Sequence, residues 1–480
     1  MKKSNFITVN LLILLTCILS QKEYNELYRP QIHFSPAKNW INDPNGLVYY
    51  NGVYHLYYQY NPEGNEWGNM SWGHATSPDL IHWKEQPVAI KPYELGFIFS
   101  GSCIVDKDNT AGYGKDVIFA IYTTCDLKIQ QQAIAYSFDE GKSFTNYPGN
   151  PVIPNDDDNL RDPKVFWHQE TKKWIMALAK GNKKGLEFYA STNLKQWEHL
   201  STFFMEFDIP NLQWECPDLI QLEYKGKKKW VLLVNINPRG GVLGSGTMYF
   251  VGDFDGQFFT PDPLDYPIWF DYGMDNYAGV TWSNTGDRKI LIGWMNNWLY
   301  GGDVPCSPWR SSMTLPRELK LIEYEDRPIL ANKVVEEIDK IATSWKKIDG
   351  EFEAGSAYQL KIQISLEKNS AVSLSNEKGE KFVFEIDSTS RKLIVNRNEF
   401  TGATDFNKSF VVSKLEAPLN VSGNTVTLDI FVDQSSVEIF TENGSMSMTN
   451  LVFPSSIYNR LSVDGATFSA QIRNLKSIWN

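Results

Sequence analysis

The 480-residue chain exceeds one ordinary domain and fits either two domains or one large repetitive unit joined to a second. With 42% hydrophobic and 21% charged residues it is not a disordered chain, and its 46 Lys+Arg against 57 Asp+Glu, a net charge of −11 without basic runs, exclude nucleic acid and anionic membrane as partners. Aromatics at 14%, beside 33 Gly and 23 Pro, point to many short strands and turns with rings left over for a neutral, hydroxyl-rich ligand.

At the N-terminus, Lys2 and Lys3 precede an apolar stretch from Phe6 to Leu19. This is shorter than the roughly 18 apolar residues of a spanning helix, so residues 1–20 read as a secretory signal. Cleavage after Ser20 gives a secreted or periplasmic protein. Leu14-Leu15-Thr16-Cys17 also resembles a lipobox, and lipidation at Cys17 would place the chain at a cell surface; only then is a membrane a partner. The other cysteines, Cys103, Cys125, Cys216 and Cys306, form no disulfide framework, and none of the six histidines lies in a metal-ligand pair. No metal and no cofactor are expected.

From residue 24 a phrase recurs: a turn, an apolar strand, a charged or Gly-rich turn and a second apolar strand. Its copies start at Asp43, Gly101, Asp162, Cys216 and Ala278, a period of about 60 residues. A second phrase, a small residue, then Ser or Thr, then Asp or Asn with an aromatic after it, is centred on Asp79, Asp139, Asn193 and Asp255. Strand pairs at this period predict an all-β fold, a five-bladed β-propeller over residues 24–326. Residues 327–345 read as a linker with a short helix. Short alternating strands over 346–480 then predict a C-terminal β-sandwich with a supporting role.

Three copies of the first phrase carry an acid beside a proline: Asp43-Pro44, Asp162-Pro163 and Glu215-Cys216-Pro217. A lone Asp-Pro is an ordinary turn starter. Three of them, beside Trp40, Arg161 and Trp214, mean something else, because the inner strands of a propeller start around one axial opening. Convergent carboxylates there push at least one pKa upward, the arrangement that glycoside cleavage needs: one carboxylate as nucleophile, one acid as proton donor. The apolar neighbours Trp214 and Cys216 are expected to raise Glu215, and Arg161 to keep Asp162 ionised. Asn42, Gln59 and Ser100 are candidate amide and hydroxyl partners for a sugar, and Trp67 and Trp298 candidate walls. Cys216 reads as a packed small residue and the histidines as structural.

Trp40–Gly46 (WINDPNG), Phe99–Ser102 (FSGS), Arg161–Pro163 (RDP) and Trp214–Asp218 (WECPD) resemble the signature boxes of glycoside hydrolase family 32, the invertases, inulinases and levanases. Tyr54–Pro62, Trp72–Trp83, Ser307–Leu319 and Phe431–Phe440 also resemble family boxes, and Ile41 departs from the usual Met or Leu. The resemblance implies a retaining enzyme that cleaves fructose from the non-reducing end of sucrose, inulin or levan. It assigns Asp43 as nucleophile, Glu215 as acid/base, Asp162 as transition-state stabiliser, and Asn42, Gln59, Trp67, Phe99, Ser100, Arg161 and Trp298 as substrate-binding residues. A sugar-binding propeller without catalysis would lack Asp43 or Glu215, and WINDPNG and WECPD disfavour an arabinan-cleaving five-bladed hydrolase. A fructosyltransferase on the same scaffold, the choice among the three substrates and the oligomeric state stay open.

Overall fold

The structure, a computed structural model, describes residues 24–155, 159–181, 184–240, 243–412 and 414–479, so the predicted export segment and Cys17 lie outside the described residues. Five antiparallel sheets come first. Their innermost strands are Asn39–Tyr50, Phe97–Asp106, Arg161–His168, Gln213–Tyr224 and Tyr277–Thr281, in blades 1 to 5. These strands touch in cyclic order, with Tyr277–Thr281 against Asn39–Tyr50, and a parallel pairing of Asn39 and Trp40 with Trp309 and Arg310 ties the start of the propeller to its end.

Local sequence explains the blades. Asn51-Gly52, Lys225-Gly226 and Glu325-Asp326 have positive φ at both residues, the hairpin turn that matches strand twist, and each joins two adjacent strands. The recurring phrase centred on Asp79, Asn193 and Asp255 is the connection between third and fourth strands: each of these side chains accepts two backbone N–H groups from residues two and three further on. Strands such as Val117–Cys125 are buried along their whole length, because each blade packs both faces against a neighbour. One apolar cluster fills each gap between blades; that between blades 5 and 1 continues into the second domain through Phe431 and Phe440.

The expected linker is shorter than 327–345. Arg327–Val334 is the outer strand of blade 5, paired with Arg317–Tyr324. The tight turn at Glu325-Asp326 folds it back and buries Ile329, Leu330 and Ala331, a contribution that the change of texture after residue 325 concealed. Only a short 3-10 helix, Glu336–Ile341, and the residues after it connect the domains.

A six-stranded and a five-stranded antiparallel sheet follow and enclose an apolar core. A buried charged seam joins this sandwich to the propeller. Arg317 binds Asp271 at 2.9 Å and Glu438 at 2.7 Å; His33 bridges Asp433 at 2.7 Å and Glu438 at 2.8 Å; Arg397 reaches Asp275 at 3.2 Å. Burial alone would lower the His33 pKa, but the two carboxylates raise it to about 9.

A histidine whose folded pKa lies above its ordinary 6.5 contributes stability in full below that value and loses it as pH rises through about 9. His33→Gln should therefore melt below the parent at pH 6, and the gap should close above pH 9. Thermal unfolding across that range checks this; a gap independent of pH would remove the charged role of His33.

Candidate active site

Each inner strand carries one extra residue at the same height. Between Ile41 and Pro44, Ile98 and Gly101, Arg161 and Lys164, Glu215 and Asp218, and Tyr277 and Val280, two residues oppose one on the partner strand. Such bulges bend the strand and re-aim its side chains. Asp162, Cys216 and Ala278 take positive φ there, at 65°, 42° and 54°, a conformation that non-glycine residues hold only where the surroundings impose it. Asn42, Asp43, Phe99, Ser100, Arg161, Asp162 and Glu215 all lie at these bulges.

The result is a cavity of about 270 Å³ at the axis. The structure places all ten sequence-predicted residues in its lining: Asn42, Asp43, Gln59, Trp67, Phe99, Ser100, Arg161, Asp162, Glu215 and Trp298. Gln130 joins them. Trp67 is 46% exposed and meets Phe99 edge-on, whereas Trp298 stacks on Trp40. Gln59 is held by its amide, which donates to the Ile98 carbonyl at 3.0 Å.

Asp43 is clasped on both oxygens. The Ser100 hydroxyl donates to Oδ2 at 2.6 Å and the Asn42 amide to Oδ1 at 3.0 Å, and Trp40 Nε1 donates in turn to Asn42 at 2.7 Å. Burial pushes the Asp43 carboxyl above its ordinary value and the Glu215 charge adds to this, while the Ser100, Asn42 and Cys216 donors pull it down. Cys216 lies between two acids: its backbone N–H donates to Asp162 Oδ2 at 2.9 Å, and its thiol approaches Asp43 at 3.4 Å and Asp162 at 3.5 Å. Burial pushes that thiol well above its ordinary pKa, so it serves as a donor and not as a thiolate.

Arg161 does not act as the sequence led us to expect. Its guanidinium grips Glu215 Oε1 through Nη2 at 2.8 Å and Nε at 3.2 Å, and stands 3.9 Å from Asp162. Burial pushes the Asp162 carboxyl up to about 7 against the pull of Arg161, with Glu215 and Asp43 pushing the same way. Arg161 therefore does not hold Asp162 in the usual carboxylate range.

Tyr277 was missed in the sequence. Its hydroxyl donates to Glu215 Oε2, opposite the Arg161 contact, and burial pushes its own pKa well above the ordinary value, which keeps it a donor. The signal was present: Tyr277 directly precedes the fifth copy of the repeat, as Arg161 and Glu215 precede Asp162 and Cys216. Gln130 starts the third strand of blade 2 and accepts from Arg161 at 3.4 Å.

Comparison with known proteins identifies the family. The glycosyl hydrolases family 32 N-terminal domain matches residues 33–332, and the family 32 C-terminal domain matches residues 330–478. The chain belongs to glycoside hydrolase family 32. A levanase from Bacillus subtilis is 42% identical, over 95% of this chain and 72% of its own length. An extracellular exo-inulinase from Aspergillus niger is 40% identical, over 95% of this chain and 96% of its own. The crystal structure of an exo-inulinase from Aspergillus awamori superposes with a TM-score of 0.88 at 36% identity, covering 95% of this chain and all of that one. This family 32 member is a glycoside hydrolase built as a five-bladed propeller and a β-sandwich.

Proposed function

We propose that this hydrolase is an exo-acting β-fructofuranosidase that releases terminal fructosyl units, with retention, from sucrose and fructans. The observation that carries the reading is the meeting of Asp43, Glu215 and Asp162 in one cavity of about 270 Å³ at the propeller axis. A pocket sunk at the propeller axis admits a terminal sugar more readily than the middle of a chain. The levanase and exo-inulinase relatives support the same substrate class.

In the first step Asp43 attacks the anomeric carbon of the fructosyl unit while Glu215 gives its proton to the leaving oxygen. The glycosidic C–O bond breaks and a fructosyl ester forms on Asp43. Ser100 and Asn42 fix the two oxygens of the nucleophile. In the second step Glu215 takes a proton from water, the water oxygen attacks the same carbon, and the Asp43 carboxylate leaves. Glu215 suits proton exchange with a departing group because its side chain is 19% exposed, against 6% for Asp162. Arg161 and Tyr277 hold it from two sides. Asp162 accepts sugar hydroxyls and stabilises the oxocarbenium-like transition state.

The apolar segment within residues 1–20 and the extracellular naming of the Aspergillus niger relative support export of the chain, which a mature N-terminus at Cys17 or Gln21 would verify.

Substitutions separate the three acids. Asp43→Asn should lower activity by several orders of magnitude on every substrate. Glu215→Gln should be severe on sucrose and mild on a fructoside whose leaving group departs without a proton, whereas the loss in Asp162→Asn should not depend on the leaving group. Free fructose should appear first from inulin. Early long oligosaccharides, or equal Glu215→Gln losses on both leaving groups, would defeat the reading.

A further inference from the structure

Beneath the three acids lies a second charged cluster that the proposed chemistry does not use. Lys164, two residues past Asp162, donates through Nζ to Asp218 Oδ2 at 2.9 Å, to the Thr281 carbonyl at 2.7 Å and to Thr281 Oγ1 at 3.2 Å. Asp218, three residues past Glu215, accepts in addition from the Thr281 backbone N–H at 2.5 Å and its hydroxyl at 2.7 Å. Thr281 is four residues past Tyr277. The cluster thus joins the inner strands of blades 3, 4 and 5 just behind the bulges that present Asp162, Glu215 and Tyr277.

Its position is axial. Lys164 and Thr281 line a water-sized void of about 10 Å³ together with Ser100, Asp162 and Cys216, and on the far side they line a separate cavity of about 420 Å³. The side chains of Lys164 and Asp218 are 9% and 0% exposed, and Asp218 Oδ1 has no partner among the described residues. A buried ion pair of this kind is a poor source of stability, since the cost of desolvating two charges cancels much of their attraction. What it supplies is geometry. Lys164 and Asp218 are the first residues back in register after their bulges, opposite Ala177 and Leu233, so the pair sets where each bulge ends. Asp162 and Cys216 hold a left-handed backbone there that must be imposed from outside.

We infer that Lys164, Asp218 and Thr281 are positioning residues for the reaction: a clasp that holds three blades in register so that Asp162 and Glu215 meet the sugar in reactive geometry. The inference rests on the fructosidase reading for its assay. A parent inactive on sucrose, inulin and levan would defeat that reading, and an active parent whose clasp variants keep parental turnover would defeat this one.

The test pairs Lys164→Met/Asp218→Leu, which replaces both charges with apolar groups, with Thr281→Val, which removes only the hydroxyl. Tm, folded fraction, kcat and KM are read on the same preparations. The double variant should fold with a Tm near that of the parent, yet lose about a hundredfold in kcat per folded molecule while KM moves by about threefold or less, the pattern of misplaced catalytic groups. Thr281→Val should lose about three- to tenfold in kcat by the same reasoning. Parental kcat in the folded double variant overturns the inference, as does a loss of activity that only tracks the folded fraction. If the double variant does not fold, Thr281→Val decides, and parental kcat there overturns it.

Discussion

Three carboxylates share one propeller axis with one guanidinium, and the details of the site follow from that crowding. Asp43, Asp162 and Glu215 line a single small cavity, and Arg161 is the cation beside them. Of the three carboxylates, the guanidinium grips Glu215 through Nε and Nη2, and its other donors go to Gln130, Asn159 and Gln213. The two aspartates are left to neutral donors: a hydroxyl, an amide, a thiol and a backbone N–H. These offset only part of the desolvation, so both aspartates are raised above their ordinary value, Asp162 to about 7. Glu215, the proposed acid/base, is instead held between Arg161 and Tyr277.

Backbone geometry makes the crowding possible. A regular strand sends alternate side chains to opposite faces, which would aim neighbours such as Arg161 and Asp162 apart. The shared bulge breaks the alternation at one height in all five blades, and the positive φ of Asp162 and Cys216 is the local cost. That strain is sustained by inter-blade apolar packing around it, including the Trp40, Trp294 and Trp298 cluster, and by the charged seam that docks the sandwich against blade 5. Among the described residues the sandwich contributes none to the cavity lining.

Much of this was legible in the chain. Repeats spaced by blade marked the inner strands, and the Asp-Pro and Glu-Cys-Pro boxes marked their axial ends, so the ten pocket residues came from pattern and resemblance together. What was hidden depends on side-chain reach. Adjacency made Asp162 the natural partner of Arg161, but the bulge between them turns the guanidinium toward Glu215, 54 residues away. Tyr277 was overlooked because its copy of the repeat has no acid or proline to draw attention. The outer strand of blade 5 resembles linker in the sequence because Arg327–Val334 follows the repeat phrase and does not belong to it. His33 is structural, as the sequence suggests, but its partners Asp433 and Glu438 lie 400 and 405 residues away, which no local pattern reveals.

The central claim is that Asp43 forms a covalent fructosyl intermediate which a small acceptor then intercepts on the same face. The most direct measurement is the anomeric configuration of the methyl fructoside produced when sucrose is cleaved in the presence of methanol, since a methyl glycoside cannot mutarotate. Methyl β-D-fructofuranoside as the first methanolysis product is the result this account expects. The α-anomer would mean direct displacement by the acceptor, and would remove Asp43 from the role of nucleophile.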